Sequence, residues 1–320
     1  MRDEPAGATR AGGEPVRTIF LGSGAFGIPT LRGLAPDSAI DLVGVVTAPS
    51  RPAGRRRTRT ATPIERTARD LGLGPILTPE RLRSPESLAS VLELEPALAV
   101  LVDYGQIVPA AILDLPMGAL NVHPSLLPRF RGATPIPGAI LAGDRETGVT
   151  VIRMDPGIDT GPIVAQERIA LDGTETTPDL EERLSVLGAE LLVRTLGPWL
   201  AGELRPRPQD EETATLTRPL RREDGRLRSA VAARDLERQV RAYTPWPGSF
   251  IETPAGRLIV RAASPDEGTA GPEGTIDRVG LNTVDGRLAF ERVQPAGGRE
   301  MAWDDYLRGG AKVVGSSIVE

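Results

Sequence analysis

Short apolar runs that end at glycine or at Pro/Gly-rich stretches alternate with segments whose apolar residues recur at helical spacing, up to about residue 200. Residues 17–22 (Arg-Thr-Ile-Phe-Leu-Gly) read as a buried first strand, and residues 22–34 turn into a helix. Residues 42–47 read as a second, parallel strand, followed by a basic segment rich in Pro and Gly over 48–60. Thr62-Pro63-Ile64-Glu65 is a helix start, with Thr62 as N-cap, Pro63 in the first turn and Glu65 three residues past the cap. Further buried strands are expected at 97–102, 119–122 and 148–154. A helix from Thr177-Pro178 sets Leu180, Leu184, Leu187 and Leu191 on one face. Strands alternating with helices in this way predict an α/β fold, a doubly wound Rossmann-like parallel sheet.

The periodicity then lapses. Residues 202–217 are rich in Pro, Arg and Glu, carry no sustained apolar period, and read as a linker. Beyond them one helical stretch groups Leu236, Val240 and Tyr243. Strand-like runs follow at 249–253, 257–262, 274–279 and 288–293, separated by Gly and Asp-Gly turns, the pattern of a small OB-like antiparallel β-barrel. The expected organisation is a polar disordered leader over 1–15, an α/β domain over 16–201, the linker over 202–217 and the barrel domain over 218–320. Trp246, between two prolines, is expected as a core anchor.

Composition narrows the class. With 40% hydrophobic and 25% charged residues the chain reads as globular. No apolar run approaches the ~18–20 residues needed to cross a bilayer, and the leader has no secretory h-region. A cytoplasmic setting without membrane partners is therefore expected. Zero cysteines exclude a disulfide framework, a thiolate metal site and a Cys nucleophile. The single histidine, His123, leaves no second N/S ligand, so no metal is expected. A net charge of −5 argues against indiscriminate coating of nucleic acid, and DNA is not an expected partner. Locally the picture differs: Arg51, Arg55, Arg56, Arg57 and Arg59 lie within nine residues. Such a run is usually a solvated surface loop, but flanking Gly and Pro suit a segment that orders on phosphates and unpaired nucleotides.

Gly22-Ser23-Gly24-Ala25-Phe26-Gly27 fits G-x-G-x-x-G after a strand, the fingerprint of dinucleotide binding. That reading also needs a carboxylate at the end of the second strand. Here that strand ends in Val46-Thr47-Ala48-Pro49, and Asp41 stands at its wrong end. Dinucleotide binding is rejected.

The chemistry-bearing stretch is Asn121-Val122-His123-Pro124-Ser125-Leu126-Leu127-Pro128. Asn121 and His123 are two apart on an extended segment and so share a face. A lone histidine is more often structural than catalytic; the second piece changes the balance. Asp155-Pro156-Gly157-Ile158-Asp159-Thr160-Gly161 makes a tight loop after a strand. Local capping explains Asp155; it explains Asp159 less well. An amide donor, an imidazole and a carboxylate suit transfer of an acyl carbon to an amine. Asn121 can donate to the developing oxyanion, His123 can carry a proton, and Asp159 can act as base and orient His123.

These motifs resemble the folate-dependent formyltransferase family: Asn-x-His-x-Ser-Leu-Leu-Pro at 121–128, Arg131-Gly132, and Asp-x-Gly-x-Asp-Thr-Gly at 155–161. The resemblance implies that Asn121, His123 and Asp159 are catalytic and that 10-formyltetrahydrofolate is the co-substrate and formyl donor. It implies that folate lies along Ser125, Leu126, Leu127 and Pro128, with Tyr104, Gly105, Gln106 and Ile107 as the wall of the pterin pocket. Arg51-Pro52-Ala53-Gly54-Arg55, Tyr243-Thr244-Pro245-Trp246-Pro247 and 293–297 are similar to landmarks of the branch that formylates initiator methionyl-tRNA. That branch implies translation initiation as the setting and the arginine cluster as the tRNA-binding element. Two departures stand out: Arg56 and Arg57 replace the family's lysines, and Pro137-Gly138 replaces its Gln-Arg. A formyltransferase acting on a nucleotide-linked amino sugar would share the site but lack the arginine cluster. A formyltetrahydrofolate hydrolase would use water in place of the amine, and a non-catalytic RNA-binding protein would not need the three site residues.

Overall fold

The computed structural model describes residues 14–53, 58–268, 271–310 and 313–319. The leader expected at 1–15, save its last two residues, and Arg55, Arg56 and Arg57 lie outside the described residues. The chain forms two compact units, each assembled from separate stretches. The first holds the chain up to Gly132, Thr147–Ile169 and Glu181–Leu216; the second holds Ala133–Glu146, Ala170–Leu180 and the chain from Thr217 onward.

The chain begins β1 (Val16–Gly22), α1 (Ile28–Leu34), β2 (Ile40–Val46), β3 (Arg51–Ala53), β4 (Thr58–Thr60), α2 (Pro63–Asp70), β5 (Ile76–Leu77) and α3 (Pro85–Leu92). Next come β6 (Leu98–Val102), α4 (Ala110–Leu113), β7 (Ala119–His123), β8 (Arg131–Gly132), α5 (Pro135–Ala142), β9 (Glu146–Arg153), β10 (Ile163–Ala170), α6 (Thr177–Leu200) and β11 (Leu216–Thr217). A seven-stranded sheet runs β10-β9-β7-β6-β1-β2-β5. All five residues of β6 and the last five of β1 are buried, as strands covered on both faces must be. The helix start at Thr62 is present, with Thr62 Oγ1 accepting from Glu65 N at 3.0 Å.

Two features differ from the sequence reading. The strand expected at 148–154 is not parallel: β9 runs antiparallel to β7, with Leu120 opposite Arg153 and His123 opposite Thr150. The chain between these strands does not run back along the sheet, so β9 starts where β7 ends. Second, of the face expected on α6, Leu180, Leu184 and Leu191 are buried but Leu187 only half so, and the deepest burial follows an i, i+4 series through Leu180, Leu184, Leu192 and Leu196. Gly188 continues the series because it passes close to β7; a Cβ there would stand 2.7 Å from Val122 Cγ1.

The Gly22–Gly27 turn is occupied by protein. Ser23 N donates to Asp103 O at 3.1 Å, and a Cβ on Gly24 would fall 1.6 Å from Asp103 Oδ2. A carboxylate therefore sits against the turn where a dinucleotide fold presents its pyrophosphate site, in keeping with the rejection of that motif.

The second unit contains α7 (Ala233–Ala242), β12 (Ser249–Thr253), β13 (Gly256–Asp266), β14 (Gly280–Asn282), β15 (Arg287–Pro295), β16 (Met301–Ala302) and α8 (Trp303–Arg308). Its strands form an antiparallel sheet in the order β12-β13-β15-β14, with β16 on β15. The strand expected over 274–279 is absent from that stretch. Asp277 Oδ1 accepts from the backbone N of Val279 and Gly280, turning the chain so that pairing with β15 starts only at Gly280. The aromatic anchor is also different from expectation. Trp246 is 56% exposed, whereas Trp303 is buried, meets Phe290 edge-on at 5.1 Å and donates from Nε1 to Arg278 O at 2.8 Å. The flanking prolines of Trp246 hold it in a surface turn; the indole whose N–H has a backbone partner fills the core. Trp303→Ala should destabilise the protein by about 3–5 kcal/mol and Trp246→Ala by less than about 1 kcal/mol, read from urea unfolding curves.

Candidate active site

Asn121 and His123 lie on β7, whose neighbour β6 pairs Leu101 with Asn121. His123 is 4% exposed. Its Nε2 donates to the carbonyl of Phe130 at 3.0 Å; a carbonyl can only accept, so in the neutral ring the proton sits on Nε2 and Nδ1 carries a lone pair. That lone pair faces Asp159 Oδ2 at 3.6 Å. Burial pushes the imidazole below its ordinary value of 6.5, opposed by the charge of Asp159 and by the bond to Phe130. Asn121 Nδ2 stands 3.5 Å from Asp159 Oδ1, at the limit of a hydrogen bond, so its N–H groups remain available to a better acceptor.

Asp159 reaches these groups from the loop after β9. Since the end of β9 faces Leu120, the loop folds back along β7. Asp155 Oδ1 accepts from Gly157 N at 3.0 Å and Thr160 Oγ1 at 2.7 Å, the local capping role expected for it. Gly161 is required by close approach, since a Cβ there would lie 1.9 Å from Arg153 O. Asp159 itself has φ +52°, a left-handed conformation that costs a side-chain-bearing residue on the order of 1 kcal/mol. Its Oδ2 accepts from Gly132 N at 2.8 Å.

The segment read as a linker contributes directly here. Gln209 Nε2 donates to both Asp159 O and Gly161 O at 2.7 Å, and Gln209 Oε1 accepts from Arg131 Nε at 3.0 Å. Arg131 is buried and grips Glu211 with two bonds of 2.9 and 2.7 Å. Thr215 Oγ1 accepts from Phe130 N at 2.7 Å. Sequence reasoning missed Gln209, Glu211 and Thr215 because their segment has no apolar period; their role depends on partners some fifty to eighty residues away.

The residues proposed to line a folate divide. Ser125 is buried with its hydroxyl on Arg129 O at 2.6 Å, and Leu127 is buried with its backbone N on Thr150 Oγ1. Leu126 and Pro128 are half-exposed. Gln106 clamps the 79–82 turn, accepting from Leu82 N and donating to Pro79 O. Gly105 meets nothing within 4 Å of a built Cβ, and Ile107 is 71% exposed. Tyr104 packs in the same apolar cluster as Met154; its hydroxyl is buried without a partner, and burial pushes the phenol up to about 12. Open glycine backbone, an exposed aliphatic side chain and a buried hydroxyl without a partner thus follow directly on the end of β6.

Arg51 and Arg59 are exposed on β3 and β4, which pair antiparallel with Arg51 opposite Thr60. Arg51 and Arg59 are thus carried on a two-stranded ribbon rather than on a plain loop. Among the described residues no group of three His, Asp or Glu side chains could hold a metal ion, and no helix is long and apolar enough to cross a membrane.

A doubly wound sheet followed by an antiparallel unit, with an amide, an imidazole and a carboxylate gathered at one strand end, defines a formyltransferase. Residues 16–196 match the formyl transferase family and residues 219–311 its C-terminal domain family, so the chain belongs to the formyl transferase family. Among curated relatives it is similar to the methionyl-tRNA formyltransferase of Roseiflexus sp. (strain RS-1), 42% identical over 302 residues, covering 92% of this chain and 93% of that protein. The methionyl-tRNA formyltransferase of Halorhodospira halophila is 42% identical over 309 residues, covering 94% and 99%. Among solved structures, HypX from Aquifex aeolicus in complex with tetrahydrofolic acid shares the fold with a TM-score of 0.62 at 17% identity, over 94% of this chain and 48% of that one. The sugar 3N-formyl transferase WlaRD matches with a TM-score of 0.61 at 16% identity, over 87% and 98%.

The lowered His123 value has a sign. The unfolded chain takes up a proton near 6.5 while the folded one does so only at lower pH, so the stability His123 contributes is complete above 6.5 and is lost as pH falls through its folded value. Because the chain has one histidine, its single imidazole resonance should titrate with a midpoint below 6.5 in the folded protein and near 6.5 in urea.

Proposed function

We propose that this protein transfers the formyl group of 10-formyltetrahydrofolate to the free amino group of initiator methionyl-tRNA, in the cytoplasm, for translation initiation. The observation that carries this reading is the convergence of Asn121 and His123 on Asp159, at 3.5 and 3.6 Å. The identity of 40–42% to methionyl-tRNA formyltransferases over more than nine-tenths of the chain supports the choice of acceptor.

The donor supplies an activated formyl carbonyl. As the amine attacks, a new C–N bond forms, negative charge grows on the formyl oxygen, and Asn121 Nδ2 donates to it. The amine nitrogen must then lose a proton. Between His123 Nδ1 and Asp159 Oδ2 lie two lone pairs and no proton, which makes the gap the place where that proton is taken up. With it in place, the imidazolium and the carboxylate attract each other, and the proton returns to the leaving folate nitrogen as the old C–N bond breaks. No covalent enzyme intermediate is needed; holding both substrates together supplies much of the remaining acceleration. The pterin is proposed to rest against Tyr104–Ile107, with Leu126 and Pro128 beside it. Ser125, Leu127 and Gln106 act by fixing the backbone that forms this edge. The arginine cluster from Arg51 to Arg59 is proposed to grip tRNA phosphates, and the unit from Thr217 onward to serve as a tRNA-binding domain.

The test is transfer of labelled formyl from 10-formyltetrahydrofolate to charged initiator tRNA, beside nucleotide-linked amino sugars and water. Label should appear on the methionyl amine; label only on a sugar or in free formate would replace this reading with one of the alternatives. Asn121→Ala should lower kcat about 10²–10³-fold, and His123→Ala and Asp159→Asn should lower it at least as far, with folate binding kept. Replacing Arg55, Arg56 and Arg57 by Ala should weaken tRNA binding and flatten its salt dependence.

A further inference from the structure

Asp159 is held almost entirely by residues outside its own loop. The bonds Asp155 makes within the loop end at Gly157 and Thr160. The carboxylate is fixed by Gly132 N, and the peptide carbonyls on either side of Thr160 are gathered by one side-chain amide, Gln209 Nε2, at 2.7 Å each. The other end of that amide is no freer. Arg131 Nε donates to Gln209 Oε1, which settles the orientation of the carboxamide and aims its NH₂ at the loop. Arg131 is in turn oriented by a two-bond fork on Glu211. The same arginine leads directly into Gly132, so one clamp holds both the donor to the Asp159 carboxylate and the donor to its carbonyl.

We infer that Gln209 is a positioning residue for formyl transfer, locked by the Arg131–Glu211 fork, and that it keeps the Asp159 carboxylate directed at Asn121 and His123. This rests on the proposed role of Asp159. A left-handed aspartate persists only where its surroundings over-determine it. Releasing two carbonyl bonds at once lets the loop relax and draws the carboxylate away from the imidazole. A shift of about 1 Å at a reacting group is enough to lower a rate on the order of a hundredfold.

The experiment compares Gln209→Ala, Glu211→Gln and Asp159→Asn with wild type, reading kcat and KM for charged tRNA and the titration midpoint of the lone His123 resonance. For Gln209→Ala we expect kcat to fall roughly ten- to a hundredfold with KM changed less than about threefold. The His123 midpoint should move down toward that of Asp159→Asn, because Asp159 is the charge that raises it. A merely structural Gln209 would lower the melting temperature and leave both the per-folded-molecule kcat and the midpoint where they were, which overturns the inference. Should Gln209→Ala fail to fold, Glu211→Gln, altered at a largely exposed side chain, decides by the same two readouts. A fully active Asp159→Asn would instead sink the proposed catalytic role, whatever Gln209 does.

Discussion

Everything at the candidate site depends on a backbone conformation that Asp159 would not keep unaided. A left-handed residue with a side chain is unfavourable by on the order of 1 kcal/mol, and the loop that contains it has no apolar packing of its own to offset this. The offset comes from hydrogen bonds supplied by Gly132 and Gln209, both anchored through a buried arginine. The antiparallel course of β9 makes that support necessary. A parallel strand would deliver its loop directly to the ligand edge of the sheet, whereas here the loop starts beside Leu120 and must fold back to reach His123.

The parts of the fold that sequence made legible are those set by local pattern. The apolar run at 17–22, the Thr62-Pro63 helix start and the pairing of Asn121 with His123 on one strand each depend on residues within one or two turns of each other. Strand direction does not. Nothing in Gly148–Met154 distinguishes a parallel from an antiparallel strand when both faces are covered, so the orientation of β9 had to come from tertiary structure. The same holds for Trp246 and Trp303. Each is one indole flanked by few apolar residues, and only the tertiary partner, the carbonyl of Arg278, decides which of them can enter a core with its N–H satisfied.

Candidate site residues were legible in proportion to how much of their proposed role is chemical. Asn121, His123 and Asp159 are recognisable because the chemistry proposed for them, acyl transfer to an amine, calls for those functional groups. Gln209 performs no chemistry and sits in a stretch of Pro, Arg and Glu without periodicity, so neither pattern nor reactivity marks it. Ser125 and Leu127 illustrate the converse: they belong to a conspicuous motif, yet their side chains are turned inward, on Arg129 O and into the core. What a motif preserves at such positions is the path of the backbone.

The arginine-rich composition gains a physical meaning from the same comparison. With 38 basic side chains nearly all guanidinium, the protein uses the planar fork as an internal fastener as well as a surface charge. Arg131 bridges Gln209 and Glu211, Arg218 grips Asp224 with two bonds, and Arg287 links Asp266 to Asp277 across the second unit. Each such arginine is neutralised by a carboxylate and adds little field beyond a few ångströms. An acidic protein can therefore contain many arginines and still present positive potential only where several lack acidic neighbours in sequence, and the stretch from Arg51 to Arg59 contains no Asp or Glu at all. Its two described ends, Arg51 and Arg59, stand exposed on a short antiparallel ribbon, which suits the tRNA-binding role proposed for the cluster.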